Sequence, residues 1–394
     1  MNAETNRFEM TNKGSLGRNA LILGIVFILA SIAGWYMDSA QFYKSYLVGY
    51  IFWLTFALGG LFYTLINHLF GSVWNVVLRR IGEAAMYSFP LLAILFIPIL
   101  FGMHDLYHWT HEEDVLKDPI LLAKSGYLNE TFFTIRVVIY FAIWFTLSKI
   151  LYSLSLKQDK DPDEKYILRL RQISAPGMIL FAISITFASF DWMMSLEPHW
   201  FSTIYGVYFF GGCFLTILTF VVIMAQNLRK KGYLIDVITV EHYHDMGKLF
   251  FAFLIFWGYI GFSQYFLIWY ANIPEETVWY KIRWDNGWNY ITMLLVLAHF
   301  TLPFFILLLR SVKRSLISMK LIAIWILVMH LFDIYWLIAP AISHGHGPHI
   351  SWIDFVVLLG VGGFFIWNFW NNLSSHPLVP VGERRLEASI KFTV

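Results

Sequence analysis

The chain has 394 residues, 58% of them hydrophobic and 14% charged, and its mean hydropathy is +0.61. Its formal net charge of +2 gives no reason to expect a nucleic-acid partner. The single cysteine, Cys213, excludes an internal disulfide and an iron–sulfur centre of the chain's own, since such centres typically take four thiolates.

Residues 1–19 are polar and lack the short apolar core and small-residue cleavage site of a signal peptide. The first apolar run is therefore expected to direct insertion. Ten such runs follow, at roughly 20–37, 46–70, 84–103, 132–156, 173–194, 202–228, 246–272, 287–311, 318–340 and 352–372. Most reach roughly 20 residues or more, enough to cross a ~30 Å hydrocarbon layer at about 1.5 Å per residue. The fold class is an all-α polytopic membrane protein, with a membrane domain over 20–372 and a tail over 373–394. The intervening stretches are too short to hold a separate core. The mixed-charge connector Lys157–Arg171 reads as a solvated loop.

Basic residues are distributed unevenly between the two sides. The side of the N-terminus holds 22 of the 28, among them Arg79, Arg80, Lys157, Lys160, Arg229, Lys230, Arg310, Lys313, Arg384 and Arg385. The other side keeps Lys44, Lys117, Lys124, Arg136, Lys281 and Arg283. The positive-inside rule places both termini in the cytoplasm. Trp35, Tyr36, Trp109, Trp200, Trp279, Tyr280 and Trp352 then fall near the outer span ends, where amphipathic rings favour the headgroup layer.

An ionisable side chain within a span costs on the order of 2.5–3.5 kcal/mol at the bilayer centre, so it normally faces protein or water. Arg136 and Asp191 lie in the outer parts of spans four and five, and Gln264 in the outer half of span seven. His299 lies near the middle of span eight. His330 and Asp333 share one face of span nine. His68 and Glu83 mark the inner edges of spans two and three. Arg136 and Asp191 are candidates for a structural ion pair. His330 is a candidate donor to a neighbouring carbonyl, and Gln264 fits interhelical hydrogen bonding. The alternative is a proton pathway through Asp333, His330, His299, Asp191, Glu83 and His68, because such chains build proton relays.

A bis-histidine haem would need opposed histidines at one depth, and only His299 and His330 meet that condition. No haem is expected. The outer histidines His104, His108 and His111, and the loop His344, His346 and His349, lack a standard metal-ligand spacing, so no metal site is expected either. Spans five and nine each place an aspartate seven residues before a proline, Asp191 before Pro198 and Asp333 before Pro340, as a parallel duplication would.

Three segments carry a family likeness. They are Ser189–Tyr205 (SFDWMMSLEPHWFSTIY), Phe262–Thr277 (FSQYFLIWYANIPEET) and Asp333–Pro340 (DIYWLIAP). They resemble signatures of the large membrane subunits of alternative complex III, a bacterial quinol:cytochrome c oxidoreductase, within the polysulfide-reductase-like membrane subunits. The second large subunit, the ActF type, is the nearer in pattern, and the likeness runs over about residues 15–385. It implies two four-helix bundles, about 46–194 (spans two to five) and 202–340 (spans six to nine), flanked by spans one and ten. It further implies an inner-membrane assembly with a sibling large subunit, an iron–sulfur subunit, multihaem and mono-haem cytochromes c, lipids and a possible terminal oxidase. The haem c and iron–sulfur clusters would sit in those partners, with a quinol such as menaquinol as substrate of the complex. This chain would supply scaffold and a proton pathway. The alternatives are direct quinol binding near Asp191 and Gln264, or an independent secondary transporter.

Overall fold

The computed structural model describes residues 8–343 and 345–393, so His344 and Arg7 lie outside the described residues. Among the described residues, ten helices are long and apolar enough to cross a membrane, and the secondary structure is helical without strands. They are α1 (Leu16–Met37), α2 (Ser39–Phe70), α3 (Val76–Phe101), α4 (Glu130–Lys160), α5 (Glu164–Leu196), α6 (Tyr205–Lys230), α7 (Val240–Ala271), α8 (Trp288–Leu308), α9 (Leu316–Ile342) and α10 (Trp352–Ser374). The protein is an all-α polytopic membrane protein.

Local chemistry sets the helix ends. Asp38 closes the turn between α1 and α2, where its carboxylate accepts from the Gln41 amide. Gly71 ends α2 at φ +61°, a left-handed conformation that glycine adopts without a Cβ penalty. Asn129, Asp163 and Ser315 cap α4, α5 and α9. Thr239 with His242, and Ser351 with Asp354, form reciprocal capping boxes on α7 and α10. α3 breaks at Tyr87–Ser88, and its second half, from Phe89, has Pro90 in its first turn, where a missing N–H costs nothing.

Burial separates central helices from peripheral ones. α2 and α6 have 83% of their apolar windows buried, against 17% for α1 and 22% for α8. The central pair crosses at Gly59, where an added Cβ would lie 2.2 Å from the Cys213 carbonyl oxygen. α3, α5 and α10 pack on α2, and α7, α9 and α5 pack on α6. α1 packs chiefly on α10, where a Cβ on Gly363 would meet the Gly24 backbone at 2.5 Å. Small residues allow this approach, which matters where van der Waals packing, rather than hydrophobic drive, holds helices together. The exposed Leu23, Leu29, Phe262, Leu267 and Phe305 project from peripheral helices, as lipid-facing side chains do.

An even number of crossings puts residues 8 and 393 on one side, here the terminal side. The segments meet there, with the Leu378 amide donating to the Phe8 carbonyl at 2.8 Å. Three expectations are revised at the helix ends. Arg79 and Arg80, read as loop charges, are 1% and 0% exposed. The connector after α4 is not fully solvated: helix continues to Lys160, and the Asp159 carboxylate is buried against Arg80. On the far side, Trp109, Trp200 and Trp279 are packed inside the protein, with Trp200 stacked on Trp279 at 4.8 Å. Trp35, Tyr36 and Trp352 remain exposed.

The buried arginines belong to an ion network. Glu83 bonds Arg79 at 3.0 Å and Arg80 at 2.8 Å, and accepts from the Ser155 hydroxyl at 2.9 Å. Arg80 also holds Asp159, and Arg79 holds Glu383 of the C-terminal tail at 3.0 Å. Arg385 joins Glu383 at 2.9 Å. Three cations face three anions, so the network is formally neutral. Glu83→Gln would leave one buried positive charge unmatched and is expected to cost about 3–5 kcal/mol. Arg80→Leu/Glu83→Leu should cost less than that single change in thermal unfolding of the detergent-solubilised chain. Burial alone pushes the Glu383 carboxyl up, but hydrogen bonds and charge from Arg385 and Arg79 outweigh it and hold it at about 2. A depressed carboxyl stabilises the fold above its ordinary value of 4.5, and that contribution fades as pH falls toward 2. Glu383→Gln should flatten the acid limb of a stability-against-pH profile.

Candidate functional site

α8 is not a regular α-helix. Residues 295–301 form a π-helical turn, a rare conformation that recurs at functional sites. Pro303 helps explain it. In the wider i→i−5 register, residue 303 would bond the Ala298 carbonyl, but proline has no N–H. Trp325 of α9 takes that carbonyl instead, its Nε1 donating at 2.7 Å. The turn carries His299 into the protein interior at 0% exposure, against Trp257 of α7 at 4.1 Å between ring centroids.

His330 lies close to the midpoint of α9, its ring 6.4 Å from that of His299 and 6.1 Å from that of Phe52. Its position requires glycine on α6, because a Cβ on Gly212 would lie 2.6 Å from His330 Cε1. One turn along α9, the Asp333 carboxylate is 1% exposed and 3.5 Å from His330 Nδ1. It accepts from the Tyr208 hydroxyl of α6 and from Trp257 Nε1 at 3.2 Å. All four ring nitrogens of His299 and His330 are buried without a hydrogen-bond partner among the described residues, so His330 does not donate to a neighbouring carbonyl there. Buried polar atoms normally find protein or ordered water, so this cluster is suited to internal water between two imidazoles and a carboxylate.

Asp191 is in a different environment. Arg136 holds it in a bidentate pair, Nε at 2.7 Å and Nη2 at 3.0 Å, and the Tyr140 hydroxyl donates at 2.6 Å. Arg136 also donates to the Tyr127 carbonyl at 2.9 Å and lies 3.9 Å over the Tyr127 ring. The D-x6-P aspartates therefore differ in their partners, α4 for Asp191 and α6 and α7 for Asp333. Gln264 joins Ser202 and the Tyr280 hydroxyl, both at 3.1 Å. Glu83 belongs to the ion network, and His68 is buried nearby with Nε2 unpartnered, within the field of Arg79, Glu383 and Arg385. The structure brings His299, His330 and Asp333 together. It places Asp191 in one separate setting, and Glu83 and His68 in another by the ion network.

Several contributors were not singled out from sequence. Tyr208, Trp257 and Gly212 sit in apolar runs whose composition does not distinguish them. Arg283 was counted only as a far-side charge. It is 1% exposed and stacks 3.5 Å over Trp279, donating to the Trp336 and Leu337 carbonyls at 3.1 and 2.9 Å. Pro340 explains the first of these bonds, because its missing N–H leaves the Trp336 carbonyl open. Burial lowers Arg283 to about 10, so it stays protonated near neutrality. The proline of the D-x6-P pattern was the available signal.

Comparison with protein-family models and with curated proteins gives no match.

The two carboxylates should respond differently to neutralisation. Asp191→Asn leaves Arg136 buried without a counter-charge and should cost about 3–5 kcal/mol, with a large loss of folded protein. Asp333→Asn keeps an oxygen for Tyr208 or Trp257 and strands no arginine or lysine, so its cost should stay near 1 kcal/mol. Monodisperse yield and melting temperature of the two purified variants check the difference.

Proposed function

We propose that this chain is a non-redox membrane subunit of a quinol:cytochrome c oxidoreductase of the alternative complex III type, in a bacterial inner membrane with both termini cytoplasmic. Its contribution is scaffold and a segment of proton pathway. The observation that carries the pathway is the His299–His330–Asp333 cluster. Two imidazoles with unpartnered nitrogens face a carboxylate that has hydrogen-bond donors but no arginine or lysine ion pair among the described residues. Such a group can gain and lose a proton without breaking a structural ion pair, which Asp191 cannot.

Toward the far side, Tyr208 bonds Asp333, and Tyr205 one turn further has a buried hydroxyl without a partner among the described residues. Beyond it stand Arg283 and Glu197. Burial raises the Glu197 carboxyl, and the charges of Arg283 and His199 draw it partly back. A raised carboxyl at the rim suits a proton exit. The membership itself rests on the three resembling segments, with the sibling large subunit, the iron–sulfur subunit and the haem c subunits as partners. The closed Arg136–Asp191–Tyr140 arrangement and the satisfied Gln264 give less support to quinol binding by this chain. An independent secondary transporter is the alternative of another class.

An affinity-tagged chain drawn from native membranes should bring down haem-staining cytochromes and a quinol:cytochrome c activity; a chain recovered without them would overturn the membership. In vesicles reconstituted with that complex, Asp333→Asn should assemble at wild-type yield while proton release per quinol falls. Wild-type proton release from an assembled Asp333→Asn complex would remove the role given to α9.

A further inference from the structure

A second set of chemistry-bearing side chains stands on the far side, away from the central cluster, in the segment between α3 and α4. The backbone there is held firmly. Tyr107 is 0% exposed and donates its hydroxyl to the Trp192 carbonyl at 3.1 Å, and Trp109 is 3% exposed. Both rings pack on Phe133, at 5.4 and 5.6 Å. Thr110 ties the turn by donating to the Tyr107 carbonyl at 2.7 Å. With 107 and 109 anchored inward, His108 and then His111 face out, and Asp114 follows on the next helical turn.

Their ligand atoms converge. One carboxylate oxygen of Asp114, Oδ2, lies 3.4 Å from Nδ1 of His111 and 3.7 Å from Nδ1 of His108, and the three ligand atoms lie within 4.8 Å of one another. The other nitrogen of His111 is already committed, with Nε2 2.9 Å from the His104 carbonyl. A carbonyl can only accept, so Nε2 carries the proton, and in the neutral ring Nδ1 presents its lone pair toward Asp114. Nδ1 of His111 is thus the nitrogen left to face the Asp114 carboxylate, placed so that both can reach one cation. A metal bound at about 2.0–2.2 Å in tetrahedral geometry separates its ligand atoms by about 3.3–3.6 Å, close to the 3.4 and 3.7 Å from Asp114 to the two imidazoles. The backbone carbonyl behind His111 is the kind of outer partner that orients metal-bound imidazoles.

We propose that His108, His111 and Asp114 form a binding site for a divalent transition metal of the zinc class. Two imidazoles and a carboxylate without a thiolate suit zinc, and three protein ligands leave a position open to water or to a group from outside. The side chains are 50%, 33% and 42% exposed, so the metal has free access. The site is independent of the proton cluster on α8 and α9. This alters the expectation of no metal site, because H-x2-H-x2-D is not a standard spacing on a regular helix. The short turn His108–Thr110, followed by the helix Glu112–Lys117, brings the three residues to one point.

The full chain, washed with chelator in detergent, is titrated with zinc chloride, and with cobalt chloride to read the coordination by visible absorption. One metal per chain should bind saturably, with a tetrahedral-type cobalt spectrum. His108→Ala, His111→Ala and Asp114→Asn should each weaken binding by at least ~10-fold. His346→Ala should not change it, and His104→Ala, which keeps the backbone carbonyl, should leave it within about two-fold of wild type. All three ligand positions are at the surface, and unchanged melting temperatures in the absence of metal verify that the variants fold. No saturable binding to the wild-type chain, or binding that survives all three substitutions, overturns the proposal.

Discussion

The cost of holding charge in a low-dielectric interior organises this protein. Each buried carboxylate meets that cost differently, and the difference defines its role. Glu83 and Asp159 sit in a network where anions and cations balance. Asp191 has one arginine, gripped at two points, and a tyrosine. Asp333 accepts from a phenol and an indole and has an imidazole at 3.5 Å, with no arginine or lysine ion pair among the described residues. A residue that is strongly paired serves as a fastening. A residue that is hydrogen-bonded without a fixed counter-charge strands no buried cation when it is neutralised.

The ten crossings were legible because length and hydropathy alone determine them, and all ten observed helices overlap the apolar runs. The Arg136–Asp191 proximity and the shared face of His330 and Asp333 were legible from helical spacing and matched depth. The π turn was not, since its cause is a proline together with an indole from another helix. Nor was the burial of Arg79, Arg80 and Asp159. Charge at a helix end reads as a surface feature, and only the tertiary fold shows that the C-terminal tail covers it. Trp109, Trp200 and Trp279 failed for the same reason. Their place along the helices suits an interfacial belt, but neighbouring segments on the far side enclose them.

The paired D-x6-P segments each have a buried arginine nearby, but they use it differently. In α9 the proline frees a carbonyl that Arg283 occupies, so an arginine is pinned near the far end of the helix that bears Asp333. In α5 the arginine meets the aspartate directly. Both arginines also rest on aromatic faces, Arg136 on Tyr127 and Arg283 on Trp279. One arginine neutralises its neighbouring aspartate and the other does not, so the two segments are alike in sequence pattern and unequal in chemistry.

The ion network beneath α3 and α4 also sets a timetable. Arg79 and its partner Glu383 are separated by 304 residues of chain. Synthesis from the N-terminus delivers Arg79, Arg80, Glu83 and Asp159 long before the tail emerges, and those two cations and two anions already balance. The tail then brings Glu383 and Arg385 as a neutral pair, and with it the second carboxylate that Arg79 holds. The tail is thus a late clasp, closing over charges that are already in balance.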